Sequence, residues 1–294
     1  PGTMSDPAVT AADVVQAYLA DQVGVILARR GELRDGASDS VHKSRVATRR
    51  LRSTLRTFRR LFHREVTDPL RDDVRWLARA LGGARDVDVM GGRILAAVDG
   101  LDEGLVVGDA RARMTTTLEV RRAEALASLG EVLDSERYAD LIGRLEELAE
   151  RPPWRGRASK PAGAVLPRKL ERAVGRVDRA WEAAGRTDAD ESLHLLHETR
   201  KRAKAVRYGC ELLVPVGGKR AGNAVAAWER VTEEFGELQD ASVALTWLRE
   251  IEPRFTGGVV AGLELAERER LRHHLPDPQG RPARVVARLV EKLA

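Results

Sequence analysis

Residues 41–62, VHKSRVATRRLRSTLRTFRRLF, carry two different surfaces when they are placed on one helix. At about 100° per residue, five basic side chains share an arc about 80° wide, called here the first ridge: His42, Arg45, Arg49, Arg52 and Arg56. The opposite side collects small and apolar side chains: Ser44, Ala47, Leu51, Leu55, Phe58 and Phe62. The stretch therefore predicts a helix that packs through an apolar seam and keeps a separate cationic face.

Helical spacing of apolar residues continues along nearly the whole chain of 294 residues, of which 43% are hydrophobic. No sustained segment alternates apolar and polar residues, so the predicted fold class is all-α with about twelve helices. Clusters of glycine or proline indicate the ends of helices: Gly82-Gly83, Gly91-Gly92, Pro152-Pro153, Gly217-Gly218, Gly257-Gly258 and Pro276–Pro278. We expect no membrane-spanning run, no signal peptide and a cytoplasmic protein.

The two halves of the chain resemble each other. The first ridge returns 155 residues later as the second ridge: His197, Arg200, Lys204 and Arg207, with Lys201 at its edge. A further match, at an offset of 154, joins residues 81–89 (LGGARDVDV) to residues 235–243 (FGELQDASV). This repetition predicts two antiparallel helical bundles, 8–151 and 167–294, related by a pseudo-two-fold axis and joined by a linker at 152–166.

The net charge of +5 conceals an uneven distribution. Residues 41–64 and 199–210 contain fourteen lysines and arginines and no acid, whereas the rest of the chain holds 36 bases and 45 acids. A solvated helix face normally mixes both signs, so two acid-free ridges favour an anionic partner. Arginine, which predominates, holds phosphate oxygens with a planar fork of donors.

A third basic stripe follows the proposed linker. Lys169, Arg172, Arg176 and Arg179 have helical spacing, but Glu171 and Asp178 lie among them. We therefore give this stripe less weight as part of a phosphate-binding surface.

The two ridge segments resemble the signatures of a known family, the CHAD domain, or conserved-histidine α-helical domain. Residues 41–52 (VHKSRVATRRLR) look like its first signature and residues 196–204 (LHETRKRAK) like its second. The resemblance runs from about Asp13 to Leu293, although Ala205 stands where the family often has another arginine. It implies two helical bundles around a basic groove or pore that binds inorganic polyphosphate, and an association with polyphosphate granules.

Two histidines and two aspartates need separate interpretation. His42 and His197 begin the two ridges, and contact with phosphate competes there with a surface or core role. Where phosphate lies beside them, the charged imidazole is favoured, so affinity should rise at lower pH. Asp86 and Asp240 follow the predicted helix breaks, which favours helix capping or orientation of a ridge arginine over catalysis.

The preferred function is non-enzymatic binding of polyphosphate, without a cofactor or metal. The ridges lack the carboxylates that phosphoryl-transfer enzymes use to hold Mg²⁺, and His194 with His197 and Glu198 lacks further metal ligands. A nucleic-acid-binding protein is the first alternative, although aromatics make up only 4% of the chain. An enzyme that processes polyphosphate or nucleotides is the second.

Overall fold

The computed structural model describes residues 9–101, 106, 108–184, 186, 189–251 and 259–273. These residues form helices and no strand, which confirms the all-α fold class. The helices are α1 (Ala11–Ala28), α2 (Arg30–Arg34), α3 (Ser38–Thr57), a 3-10 turn (Arg59–Leu61), α4 (Arg64–Asp99), α5 (Ala110–Asp134), α6 (Glu136–Glu150), α7 (Ala162–Val165), α8 (Pro167–Ala184), α9 (Ala189–Leu212), α10 (Val214–Ile251) and α11 (Val259–His273). Gly257, Gly258, residues 276–278 and the outer ends of the two predicted bundles lie outside the described residues.

The larger of the two hydrophobic clusters among the described residues joins the two halves of the chain. It includes fully buried Leu51 and Leu141 from the first half, and Ala203 and Trp228 from the second. The predicted duplication and its boundaries stay a prediction.

Helix α1 packs into this core. It begins with a reciprocal capping box between Thr10 and Asp13 and buries Val15 and Leu19 completely. Among the described helices it alone could span a membrane by length and composition, with a mean hydropathy of 1.2 over 18 residues. The core helix of a soluble protein passes the same test.

The segment proposed as a linker is folded against its neighbours. The ring of Trp154 stacks on Phe62 with centroids 4.8 Å apart, and the Arg155 amide donates to the Leu61 carbonyl at 2.7 Å. Ala158 and Ala162 are buried in the core. The segment therefore ties the end of α3 to the start of α1, through backbone bonds such as Ala11 N to Lys160 O at 2.9 Å.

The predicted helix ends at 82–83 and 91–92 are wrong, because α4 runs without interruption from Arg64 to Asp99. A glycine inside a helix costs about 1 kcal/mol relative to alanine, and the buried apolar stripe of α4 offsets that cost. Gly91 also lies 3.8 Å from Leu118 of α5, measured from its ideal Cβ position. At Gly218, by contrast, φ is +53°, and the backbone does break the helical path within α10.

Candidate phosphate-binding site

Helices α3 and α9 place the two ridges side by side. In α3 the apolar seam predicted from the sequence is buried, including Ala47, Leu51 and Leu55, while in α9 Ala203 and Val206 are fully buried. The cationic faces then meet, so that four side chains lie within electrostatic reach of one another. We call them the central cluster: Arg45 and Arg49 from the first ridge, and Arg200 and Lys204 from the second.

Burial disfavours the positive charges of the central cluster. It lowers the pKa of Arg45 and of Arg200, with the other cations of the cluster adding to the effect. The pKa of Lys204 is lowered to about 6. Burial is the largest cause, followed by the positive charges of Arg200, Arg49 and Arg45. Asp240 opposes this shift without reversing it. The fold therefore holds like charges together at a cost in stability that an anion would relieve.

Two aspartates lie beside the cluster, each inside a helix. Asp86 belongs to α4 and Asp240 to α10, so the helix-capping interpretation is wrong for both. The alternative role as an orienting residue fits Asp86, whose carboxylate lies 2.9 Å from Nη2 of Arg45. Burial raises the pKa of Asp240, although Arg200 and Arg93 favour its charged form.

Two glycines give the cluster arginines room. A Cβ atom built on Gly82 would lie 3.8 Å from Nε of Arg45, and one built on Gly236 would lie 3.4 Å from Nη2 of Arg200. Both glycines are buried, each four residues before its aspartate. The motifs at 81–89 and 235–243 therefore mark the surfaces against which the two arginines rest.

Two N–H donors in the cluster are unsatisfied. Within the part of the chain that the structure describes, Nε of Arg49 and Nε of Arg200 are buried and have no hydrogen-bond partner. Native proteins pair nearly all buried donors, so each unpaired one needs an explanation. Anionic oxygens are the acceptors that suit guanidinium donors best.

The outer part of the first ridge meets a set of arginines that the sequence analysis missed. Burial and four neighbouring arginines lower the pKa of Arg52. Those neighbours are Arg75, Arg56, Arg71 and Arg79, three of them on α4. Arg71, Arg75 and Arg79 are spaced four residues apart, which indicates one basic helix face. The acids at 72 and 73 interrupt the run of positive charge, so this face is not apparent from the charge distribution along the sequence. The basic surface thus extends from α3 onto α4.

The third stripe is divided by the fold. Arg176 is exposed and interacts with Arg56 of the first ridge, so it belongs to the same surface. Arg172 is also exposed, whereas Lys169 is 7% exposed and its pKa is lowered by burial and by Arg60. The burial of Lys169 separates it from the exposed arginines of its stripe.

The far end of the second ridge is less available than the sequence suggested. Nη2 of Arg207 lies 2.6 Å from Glu229, and its Nε lies 3.2 Å from Glu211, which also holds Arg50 at 2.7 Å. Lys201 pairs with Glu198 on its own helix. Acids next to the acid-free segment, and one from α10, therefore neutralise these two positions.

The two histidines occupy different environments. His42 is exposed over most of its surface, and the partial desolvation of its ring, together with Arg85, Arg49 and Arg45, lowers its pKa. His197 is half-buried, its Nδ1 is hydrogen-bonded to Oε1 of Gln239, and burial is the main cause of its lowered pKa. The structure therefore gives His197 a partner within the protein, while His42 adjoins three arginines.

The CHAD domain family model matches residues 17–249. The chain belongs to the CHAD domain family. It is 32% identical over 211 residues to two proteins of Mycobacterium tuberculosis, uncharacterized protein MT2285 of strain CDC 1551 and uncharacterized protein Rv2226 of strain H37Rv. The match covers 71% of this chain and 40% of each relative, so the chain spans about two fifths of their length.

Two solved structures share the fold of this CHAD domain. PptA from Streptomyces chartreusis has a TM-score of 0.71 at 20% identity, covering 98% of this chain and 99% of that chain. The CHAD domain from the plant Ricinus communis has a TM-score of 0.65 at 21% identity, covering 99% and 95%. CHAD proteins are associated with polyphosphate binding.

Proposed function

We propose that this CHAD domain binds inorganic polyphosphate non-enzymatically through the central cluster and the arginines next to it. One observation carries the proposal: Arg45, Arg49, Arg200 and Lys204 lie together, half-buried, with two unpaired guanidinium donors among them. A chain of phosphates offers closely spaced anionic oxygens to all four side chains at once.

The surroundings of the cluster favour a narrow polyanion. Exposed Arg56 and Arg176 continue the basic surface in one direction, and exposed Arg75 and Arg79 continue it onto α4. Outside the two basic segments the chain is acidic, with 36 bases and 45 acids, so a broad polyanion would meet repulsion. A flexible polyphosphate chain can follow the basic surface and avoid the acidic one.

Binding without turnover is part of the proposal. Kinases and nucleotide triphosphatases use carboxylates to hold a metal ion against the phosphate. The two aspartates near the cluster face arginines: Asp86 forms a salt bridge with Arg45, and Asp240 interacts most strongly with Arg200. These contacts suit the positioning of guanidinium groups better than the ligation of Mg²⁺.

Titration with polyphosphates of graded length at several salt concentrations tests the proposal. Each phosphate contact releases counterions, so the logarithm of the binding constant should fall linearly with that of salt concentration, by about 0.7 per contact as for single strands. Affinity should increase with chain length until the basic surface is covered. Binding that is insensitive to salt would contradict the proposed surface.

Two controls separate the alternatives. Incubation with Mg²⁺ should leave polyphosphate chain lengths unchanged, whereas release of orthophosphate would show an enzyme. Duplex DNA, at the same salt concentration and the same phosphate concentration, should compete more weakly than long-chain polyphosphate. Stronger competition by the duplex would favour a nucleic-acid-binding protein.

A further inference from the structure

A cavity lies outside the central cluster. Its volume is 760 Å³, within the range of small-molecule sites, and residues of α1, α3, α9 and α10 line it. None of the residues of the two ridges or of the third stripe is among its lining residues. Val9 and Val214 line it while remaining 51% and 40% exposed, so apolar surface is left open to solvent there. The cavity is a candidate site with a chemistry of its own.

The lining combines an apolar wall with negative charge. Four carboxylates contribute to it, Asp13, Asp21, Glu211 and Glu229. Arg50 lies in the lining, and Arg207 of the second ridge pairs with both glutamates, so four carboxylates face two guanidinium groups. Most of the remaining lining is aliphatic, including Val14, Ala17, Leu212 and Val225. The central cluster is purely cationic, whereas the carboxylates at this cavity outnumber the guanidinium groups by two.

Internal bonds fix the polar end of the cavity. Glu211 accepts hydrogen bonds from the Tyr18 hydroxyl at 3.0 Å and from Nε of Arg50 at 2.7 Å, and its side chain is only 12% exposed. Burial raises the pKa of Tyr18 far above its ordinary value, so the hydroxyl remains a donor. The carboxylate is therefore held in place before any ligand arrives.

Gln22 supplies an independent indication of a ligand. It lines the cavity, it is 7% exposed, and its Oε1 is buried without a hydrogen-bond partner among the described residues. A buried acceptor without a donor is costly and is rare in folded proteins. A ligand that carries N–H donors would satisfy it.

We propose that this cavity binds an amphipathic organic cation, an ammonium group on a short aliphatic body. The ammonium donates to Oε1 of Gln22 and is attracted by the surplus of carboxylates, while the aliphatic body packs against Val14 and Val225. An anionic ligand would be repelled, and a purely apolar one would leave Gln22 unpaired. The proposed ligand is of the opposite charge to polyphosphate, and the lining includes no residue of the central cluster.

Calorimetric titration of the whole chain tests this site, with n-hexylammonium chloride as the probe. Sodium hexanoate and 1-hexanol offer similar aliphatic bodies with a negative charge and with no charge. The ammonium should bind at least about tenfold more tightly than either, because it alone carries both the positive charge and three donors. Equal binding by hexanoate or hexanol would overturn the proposal.

Two variants locate the binding. Gln22→Leu removes the unpaired acceptor and should weaken hexylammonium binding about fivefold or more. Ala226→Phe, at an exposed position in the lining, should fill the cavity and abolish binding without disturbing the core. Ala261→Phe, at an exposed position of α11 outside the lining, is the matched control. Unchanged affinity in Ala226→Phe would refute the site.

Polyphosphate binding distinguishes this proposal from the first. All three variants should bind polyphosphate like the parent chain, because none of these residues adjoins the central cluster. Loss of hexylammonium binding with full polyphosphate binding supports the second site. If Ala226→Phe loses both hexylammonium binding and polyphosphate binding, the substitution has disturbed the fold. The smaller substitution Ala226→Val must then weaken hexylammonium binding and leave polyphosphate binding unchanged.

Discussion

The central cluster is built from two half-sites that share a plan. In the first half-site Arg45 of α3 rests against Gly82 of α4, with Asp86 one turn further along. In the second, Arg200 of α9 rests against Gly236 of α10, with Asp240 one turn further along. Each half-site adds a second cation four residues after its arginine, Arg49 in the first and Lys204 in the second. The plan is the same, but the environment is not.

The half-sites differ in how strongly they hold their charge. Arg45 has a salt bridge to Asp86, whose side chain is 50% exposed, and Arg49 is a guanidinium that stays charged in proteins. In the second half-site the pKa of Lys204 falls to about 6, and burial raises the pKa of Asp240. The first half-site therefore presents a permanent positive charge. The second reaches its full charge only when Lys204 is protonated, which a bound anion or a lower pH favours.

The largest effect is expected from removing the second cation of both half-sites. Arg49→Ala with Lys204→Ala should lower polyphosphate affinity about 100-fold or more, since charge-assisted hydrogen bonds contribute about 1.5–3 kcal/mol each. Both side chains lie off the buried apolar faces of α3 and α9, so the helical circular dichroism should not change. Isothermal titration with long-chain polyphosphate measures the loss.

A control matched in residue type makes this result specific. Lys219→Ala with Arg230→Ala also removes one lysine and one arginine, but from exposed positions of α10, and should change the affinity less than about threefold. If the control loses as much affinity as the cluster variant, then net charge governs binding and the central cluster is not the site.

The next largest effect is a pH dependence that arises in the second half-site. Near pH 7 only about a tenth of Lys204 is charged when its pKa is about 6, and bound phosphate raises that pKa. Binding then takes up a proton, so affinity should rise by up to about tenfold per pH unit as pH falls from 8 towards 6, and level off below. Arg45 and Arg49 from α3, Arg200 from α9 and Asp240 from α10 face this lysine throughout.

Lys204→Arg tests the origin of that dependence, since arginine stays protonated over the whole range. We expect this variant to bind more tightly at pH 8 and to show a much flatter pH profile than the parent chain. His42 and His197, whose pKa values are also lowered, act in the same direction and account for any residual slope. A variant with the full slope of the parent would assign the dependence to the histidines.

The sequence predicted those features of the fold and site that depend on the spacing of residues within one helix. The apolar seam of α3 and its cationic face follow from the spacing of Leu51, Leu55 and Arg49 within one helix, and the structure places them as expected. Contacts between distant segments were not readable in this way. Arg75 and Arg79 join the first ridge only because α4 folds alongside α3, and Arg207 is neutralised only because α10 brings Glu229 to it.

The glycine motifs were interpreted wrongly for a physical reason. A glycine pair normally ends a helix, so residues 82–83 were expected to end one. Tertiary packing prevails over this weak propensity, because Leu81 and Ala84 are buried on either side of the pair. The absence of a side chain at Gly82 serves the contact with Arg45 and not a turn.

That contact predicts a smaller, position-specific effect in the first half-site. Gly82→Leu extends a side chain from a point 3.8 Å from Nε of Arg45, so it should displace the arginine from Asp86 and weaken polyphosphate binding about fivefold. Gly83→Leu is the control: its Cβ would meet nothing within 4 Å, and the residue is exposed on the same helix. Equal affinities of the two variants would show that Arg45 does not need this space.

The smallest effect concerns stability, and it follows from aligning the two half-sites. Gly83 corresponds to Glu237, so the second half-site has a side chain at this position and retains its arginine contact. Gly83→Ala should therefore raise the free energy of unfolding by about 0.5–1 kcal/mol, since alanine favours the helix and nothing lies within reach of its Cβ. Urea denaturation followed by circular dichroism measures the gain, and polyphosphate affinity should not change. A destabilised variant would mean that α4 needs flexibility at Gly83, which the uninterrupted helix and the aligned glutamate both argue against.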